Sequence, residues 1–473
     1  MFQALFSGKV GLTSERTLFS KLKLFVKDTL MTLGTRVIVL ALNIFISIAI
    51  ARGLGPEGKG IYTLVTLFPA LIFVFANLGI GPATVYYVAQ QKYPLKVVLG
   101  TNTILTFVIG AIFGLIAGIL ALVFQQSIFP EVPRAYLLIA LLLFPLELFR
   151  QQAGGIILLG AKRIRELSLT SVVYDVFFLA LIFLVFKFAG TRVMGIVGAR
   201  IVSSVFVCVW TFALVARIAG GIEFRPHRAY LKDLFGYGIQ AYLGNVISFL
   251  NYRIELLLLS MFMSADTIGF YSIALNLAEQ LWLVSQSAAT MIFPMVSAEK
   301  DPEKLRAFTP LINRSVTLIT ALGALLLALL SRVLVTLMYT DVYLPTVGLL
   351  RILLIGIVLN SSTRILANDL AGRGKPMLNT LVGGISLAIQ VILNLILIPR
   401  FGAAGSAWST TIAYALVFLM QLALYMKIAK VPFGKVILPQ RADWQLYRQL
   451  TIIVLQWIRL RLVRLRILPS HNE

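Results

Sequence analysis

The chain has 473 residues, 59% of them hydrophobic and only 13% charged, with a mean hydropathy of +0.92. That leaves too little polar surface to solvate such a length as soluble domains, so lipid must be its principal solvent. The net charge of +23 is spread over many connections without a recognisable binding module, which argues against a nucleic-acid partner.

The chain opens with a basic segment, 1–30, in which Lys21, Lys23 and Lys27 interleave with apolar residues. No small-residue cleavage site follows a short apolar core, so this segment reads as an interfacial lead-in helix and not as a cleaved signal. Apolar runs of roughly 20 residues follow, the length that carries a helix through about 30 Å of hydrocarbon. They predict an all-α polytopic membrane protein of about twelve spans, at 31–51, 61–89, 97–124, 135–160, 168–187, 193–217, 234–263, 268–297, 308–331, 346–371, 378–399 and 403–426. Backbone groups find no water in lipid, so these runs must be helices. Pro69, Gly79, Gly81 and Pro82 predict kinks in the second. A linker at 218–233, with Gly220, Gly221 and Pro226, separates an N-lobe (31–217) from a C-lobe (234–430), and a basic aromatic tail occupies 431–473.

Charge sets the expected orientation. The N-terminal segment, the even-numbered connections and the tail together hold 28 Lys and Arg, whereas the odd-numbered connections hold seven: Arg52, Lys59, Arg134, Lys187, Arg192, Arg332 and Arg400. This asymmetry places both termini in the cytoplasm, with the chain in the inner membrane. In the tail, Trp444, Tyr447 and Trp457 alternate with arginines, and attraction to anionic lipids is the expected use.

Several chemistries are disfavoured. The single cysteine, Cys208, falls inside a span and reads as a small buried apolar side chain. His227 and His471 are the only histidines, both outside the spans, so neither a metal site nor a catalytic triad is expected, and no cofactor. Gly53 to Lys59 matches the beginning of a phosphate-binding loop, yet Gly60 stands where Ser or Thr should be and no strand precedes it. A glycine-rich turn between two spans explains it better. Asp301 and Pro302 are expected to start a helix whose N-terminal dipole the nearby carboxylates complement.

The two halves echo one another. Gly60-Ile61-Tyr62 is matched by Gly269-Phe270-Tyr271, Gly160-Ala161-Lys162-Arg163 by Gly372-Arg373-Gly374-Lys375, and Gly195 to Ala199 by Gly402 to Ser406. All three pairs fall at equivalent places in a six-plus-six division, which implies lobes of the same topology related by a pseudo-two-fold axis along the membrane normal.

These residues carry a resemblance. The segment Ala51 to Tyr62 resembles the first periplasmic loop of oligosaccharide-unit flippases, and Phe401 to Ala407 resembles their last hairpin. Ala51, Arg52 and Gly55 also match an Ala-Arg-x-x-Gly found in lipid II flippases. The chain is thus similar to the polysaccharide-export branch of the multidrug/oligosaccharidyl-lipid/polysaccharide flippase superfamily. That resemblance implies two six-helix lobes around a cavity that opens alternately to each side, and translocation of a polyprenyl-diphosphate-linked oligosaccharide during assembly of the cell envelope.

Polar residues inside spans mark where such a cavity would lie, because a charge at the bilayer centre costs about 2.5–3.5 kcal/mol or more and therefore faces water or a partner. The first span carries Arg36, Asn43 and Ser47; the seventh Asn245, Ser248, Tyr252 and Glu255; the eighth Ser272, Asn276, Glu279, Gln286 and Thr290. Arg36, Arg253 and Arg364, with Arg52 at the rim, are the expected contacts for an anionic headgroup, since guanidinium offers phosphate a planar bidentate fork. Asn43, Asn245, Tyr252 and Asn276 accompany them. Arg150 is a weaker candidate because Glu147, three residues earlier, can neutralise it. Asp175, Glu255 and Glu279 are candidates for binding a coupling ion. A drug or cation exporter on the same fold is one alternative, expected to have a cavity dominated by acids and aromatics; a polysaccharide polymerase or ligase is another, disfavoured by the short periplasmic connections.

Overall fold

The computed structural model describes residues 12–299, 301–440 and 443. Among them no strand occurs; the chain is a succession of helices. They are α1 (Leu12–Ala76), α2 (Ile80–Ala89), α3 (Leu95–Ile128), α4 (Arg134–Ala140), α5 (Leu143–Arg150), a π-helical turn (Gln151–Gly155), α6 (Ile156–Gly160), α7 (Ile164–Phe188), α8 (Val193–Ala219) and α9 (Arg228–Phe262). There follow α10 (Ala265–Glu279), α11 (Trp282–Ala298), α12 (Pro302–Tyr339), a 3-10 turn (Asp341–Tyr343), α13 (Pro345–Gly372), α14 (Pro376–Ala429) and α15 (Phe433–Ile437).

The helices are apolar outside and polar within, the reverse of a soluble bundle. In α3, Phe107, Ile112, Leu115, Leu122 and Val123 are exposed while Thr101, Asn102, Thr103 and Thr106 are buried. Lipid solvates the first set, and within the second Asn102 donates to the Gln152 carbonyl at 3.0 Å and Thr103 to the Leu99 carbonyl at 2.7 Å. By length and composition nine described helices can cross a membrane, ten if α10 and α11 count as one bent span.

Two of these long helices hold a pair of the expected spans each. α1 runs through the first and into the second, broken only at Gly55 (φ 70°, ψ 179°), with the second ending as α2 after a break at Gly79 (φ 73°), and α14 runs through the eleventh and twelfth, broken at Gly402 (φ 58°, ψ −141°). Only glycine adopts such angles readily, and Pro56 restarts the helix with its ring already set for a first turn. The glycine-rich turn expected here is therefore a single non-helical residue. Lys59, expected in that connection, lies instead inside the helix and is buried. The eighth span is not continuous either: α10 and α11 meet at 46°. The fourth is assembled from α4, α5, the π turn and α6. α12 does begin at Pro302, with Asp301 accepting from the Glu303 amide at 3.0 Å.

The described helices form two compact units. The first contains the chain to Asn276 with Arg332–Leu349 and Val391–Ser406; the second contains Leu277–Ser331, Leu350–Gln390 and the chain from Ala407. In the first, α7 packs on α1 and α8, and α9 packs on α1, α2 and α3. In the second, a core of Leu366, Leu370, Leu422, Tyr425, Val431 and Val436 joins α13, α14 and α15.

Candidate functional site

Within the first unit, membrane-embedded charges gather where α1, α5, α7 and α8 meet. Arg150 donates to both oxygens of Glu147, at 2.9 and 2.5 Å, and Gln151 adds a third bond to the same carboxylate at 3.0 Å. The Arg150 guanidinium also lies 5.8 Å from the Tyr174 ring centroid. Asp175, one residue on, is buried and accepts from the Asn43 amide at 3.3 Å. Arg200 donates to the Tyr62 hydroxyl at 2.8 Å, and the Lys59 ammonium lies 5.8 Å from the Tyr62 ring centroid. Three cations and two carboxylates thus share one region.

Of the expected ligands on α1, Arg36 and Asn43 are exposed. An exposed Arg or Asn on a membrane helix faces either lipid or a watered passage, and the cost of the former favours the latter. Arg52 is exposed as well, but its guanidinium donates to the carbonyls of Met338, at 2.8 Å, and Leu337. It caps the C-terminus of α12, where unpaired carbonyls and the negative end of the helix dipole favour a cation. On α9 the stripe passes from exposed Asn245 and Ser248 through half-buried Tyr252 and Arg253 to Glu255, which is fully buried. Arg253 donates to the Tyr252 carbonyl at 3.1 Å. Asn276 on α10 is exposed, and half-buried Glu279 ends that helix.

The second unit holds Arg364 of α13. Its guanidinium stacks 4.2 Å from the ring centroid of Trp282 and donates to the Gln286 side-chain oxygen at 2.5 Å. A half-buried guanidinium stacked on an indole face is held in one plane, as planar recognition of an oxyanion requires. The structure thus brings Asn43 together with Asp175, and Arg364 with Trp282 and Gln286.

A model of the family described as polysaccharide biosynthesis protein matches residues 49–348. The chain belongs to this family. It is 24% identical over 406 residues to the "Putative O-antigen transporter" of Shigella flexneri, covering 81% of this chain and 93% of the relative. It is 22% identical over 405 residues to the capsular polysaccharide biosynthesis protein CapF of Staphylococcus aureus, covering 83% and 97%. Among solved structures it superposes on the lipid II flippase MurJ, in an inward closed conformation, with a TM-score of 0.70, at 14% identity and with 87% and 89% of the two chains covered. The protein is a multi-pass membrane protein of the polysaccharide branch of the flippase superfamily, with the two-lobe transporter fold.

Sequence reasoning missed Arg200, Tyr62 and Tyr174 and treated Lys59 as a connection residue. Arg200 carried the same signal as Arg36, a cation within an apolar run; its partner Tyr62 lies 138 residues away, beyond any local pattern. Trp282 and Gln286 were equally out of reach as partners of Arg364. Outside the spans, Lys92 and Tyr93 both donate to Asp233, at 2.5 and 2.6 Å, and hold its carboxyl below the usual range. His227, at the N-cap of α9, accepts from the Tyr230 amide at 3.2 Å, a structural role. Cys208 is buried and donates to the Leu146 carbonyl.

Proposed function

We propose that this protein flips a polyprenyl-diphosphate-linked oligosaccharide across the inner membrane by alternating access, its headgroup drawn in by span arginines. What carries the reading is membership of the polysaccharide family, with the Shigella relative aligned over nearly its whole length. The six-plus-six lobes divided at 218–233, both termini in the cytoplasm and a tail at anionic lipid belong to the same proposal; the tail beyond Gln440, apart from Asp443, lies outside the described residues.

A diphosphate leaving water needs fixed positive partners, and Arg36, Arg253 and Arg364 are our choice, with Asn43, Asn245, Tyr252 and Asn276 meeting the sugar. Arg364 is the best supported, because Trp282 and Gln286 orient its guanidinium and an indole beside it offers an apolar face to a sugar ring. Arg52 is less favoured as a ligand, since α12 carbonyls occupy it. An acid-lined drug cavity fits these cations poorly.

Vesicles reconstituted with the protein and a lipid-linked oligosaccharide test the reading. Arg364→Ala should lower translocation about tenfold or more, the scale of losing a charge-assisted bond of roughly 1.5–3 kcal/mol. Arg364→Lys should recover only part, because a point charge lacks the fork. Parental rates in alanine variants of all three arginines, each shown to be inserted and folded, would discard the headgroup site.

A further inference from the structure

One sequence echo of the two halves is also a contact in the structure. Gly60 on α1 and Gly269 on α10 stand at equivalent places of the repeat, at the start of the second and eighth spans. Both are buried, and they meet each other within the first unit. A Cβ placed on Gly60 would overlap the Ala265 carbonyl, and one placed on Gly269 would overlap the Pro56 carbonyl. Pro56 and Ala265 each stand four residues before their glycine, so the contact is reciprocal, each half offering the other the same surface. So close an approach of two backbones needs glycine on both helices. Around it, exposed residues join the halves: Arg52 donates to the Met338 carbonyl at 2.8 Å, and Glu131 accepts from the Ala265 amide at 3.2 Å. Water can take over bonds at such exposed groups when helices part. Backbone surfaces without side chains can separate and close again with nothing to unthread.

We propose that the Gly60–Gly269 contact is the outer gate of the transport path, closed in this structure and parted when the protein opens outward. It rests on the alternating-access reading above and on the orientation that charge assigns. A gate of this kind seals by backbone contact alone, so a single methyl on either glycine holds it ajar.

The test uses the full chain with Cys208→Ala and a reporter, Asn276→Cys. Asn276 is exposed and lies seven residues beyond Gly269 along α10, about 10 Å deeper. An impermeant thiol reagent applied from outside should label this cysteine several-fold faster in Gly60→Ala and in Gly269→Ala than in the parent. Gly238→Ala is the control: its methyl would stand 2.7 Å from the Gly79 carbonyl, a comparable clash toward the end assigned to the cytoplasm, and it should not speed labelling. Spin labels on Glu57→Cys and Asp266→Cys, exposed beside the contact, should give a short and a longer distance in lipid nanodiscs, the longer one dominating in Gly60→Ala. If the glycine variants fail to insert, the distances in the parent decide. Neither readout involves a sugar lipid, so a wrong substrate leaves both intact. Labelling unchanged in both inserted glycine variants, labelling raised equally by Gly238→Ala, or a single short distance in the parent would each overturn the gate.

Discussion

Arg314 sits in the inward-facing side of α12, 9% exposed at its side chain, and Asp443 meets it from beyond α15 at 1% exposure. Two parallel bonds of 2.7 and 2.6 Å join them, and the Gln440 amide donates to the same carboxylate at 2.8 Å. Removing one partner strands a buried charge, at a cost of about 3–5 kcal/mol. Asp443→Ala should therefore lower the unfolding midpoint sharply, and Arg314→Met combined with it should restore most of the loss. The guanidinium holds the Asp443 carboxyl below its ordinary 3.8. A depressed acid contributes stability that is complete above the unfolded value and lost as pH falls through the native one, so the parent should lose this increment only below about pH 4, and Asp443→Ala should lack that acid-side loss in a pH series of unfolding midpoints. Such a pair, 129 residues apart, leaves no local trace in sequence. Arg150 with Glu147 is the opposite case: three positions on one helix face made the pairing readable in advance, and the structure has it.

At the scale of elements, breaks marked by glycine or proline were legible and the others were not. Gly55, Pro56 and Gly402 announce where the merged helices of α1 and α14 divide. The bend between α10 and α11 falls at Gln280 and Leu281, a stretch without either residue, so no local residue announces it. The bend matters because Glu279 lies at its edge. Discontinuous membrane helices are where transporters bind coupling ions, and a carboxylate there supplies the charge. Of the three candidate acids, Glu279 is our choice because it stands half-buried at this bend. In vesicles with an imposed proton or sodium gradient, Glu279→Gln should reduce flux to the level seen without a gradient, while binding of the lipid-linked oligosaccharide persists. Gradient-driven flux equal to that of the parent would remove Glu279 from coupling.

For the whole molecule, hydropathy sufficed for the fold class because lipid leaves the backbone only one way to satisfy itself, whereas orientation rests on charge alone. The asymmetry of 28 basic residues against seven becomes 28 against six once Lys59, buried in a helix, is no longer counted in a connection, which strengthens the bias. The orientation can be read with single cysteines. Cys208 is the native thiol and is buried, so it should stay silent or be replaced by alanine. Glu57, just past the Gly55 break, and Asp266, in the first turn of α10, are exposed at helix ends assigned to the outside, and replacing an acid leaves the Lys and Arg bias untouched. Phe224 and Met377, 59% and 65% exposed, stand at connections assigned to the cytoplasm. In intact cells a membrane-impermeant thiol reagent should label Glu57→Cys and Asp266→Cys, and should reach Phe224→Cys and Met377→Cys only after the membrane is opened. Labelling of the second pair in sealed cells, with the first pair protected, would invert the protein.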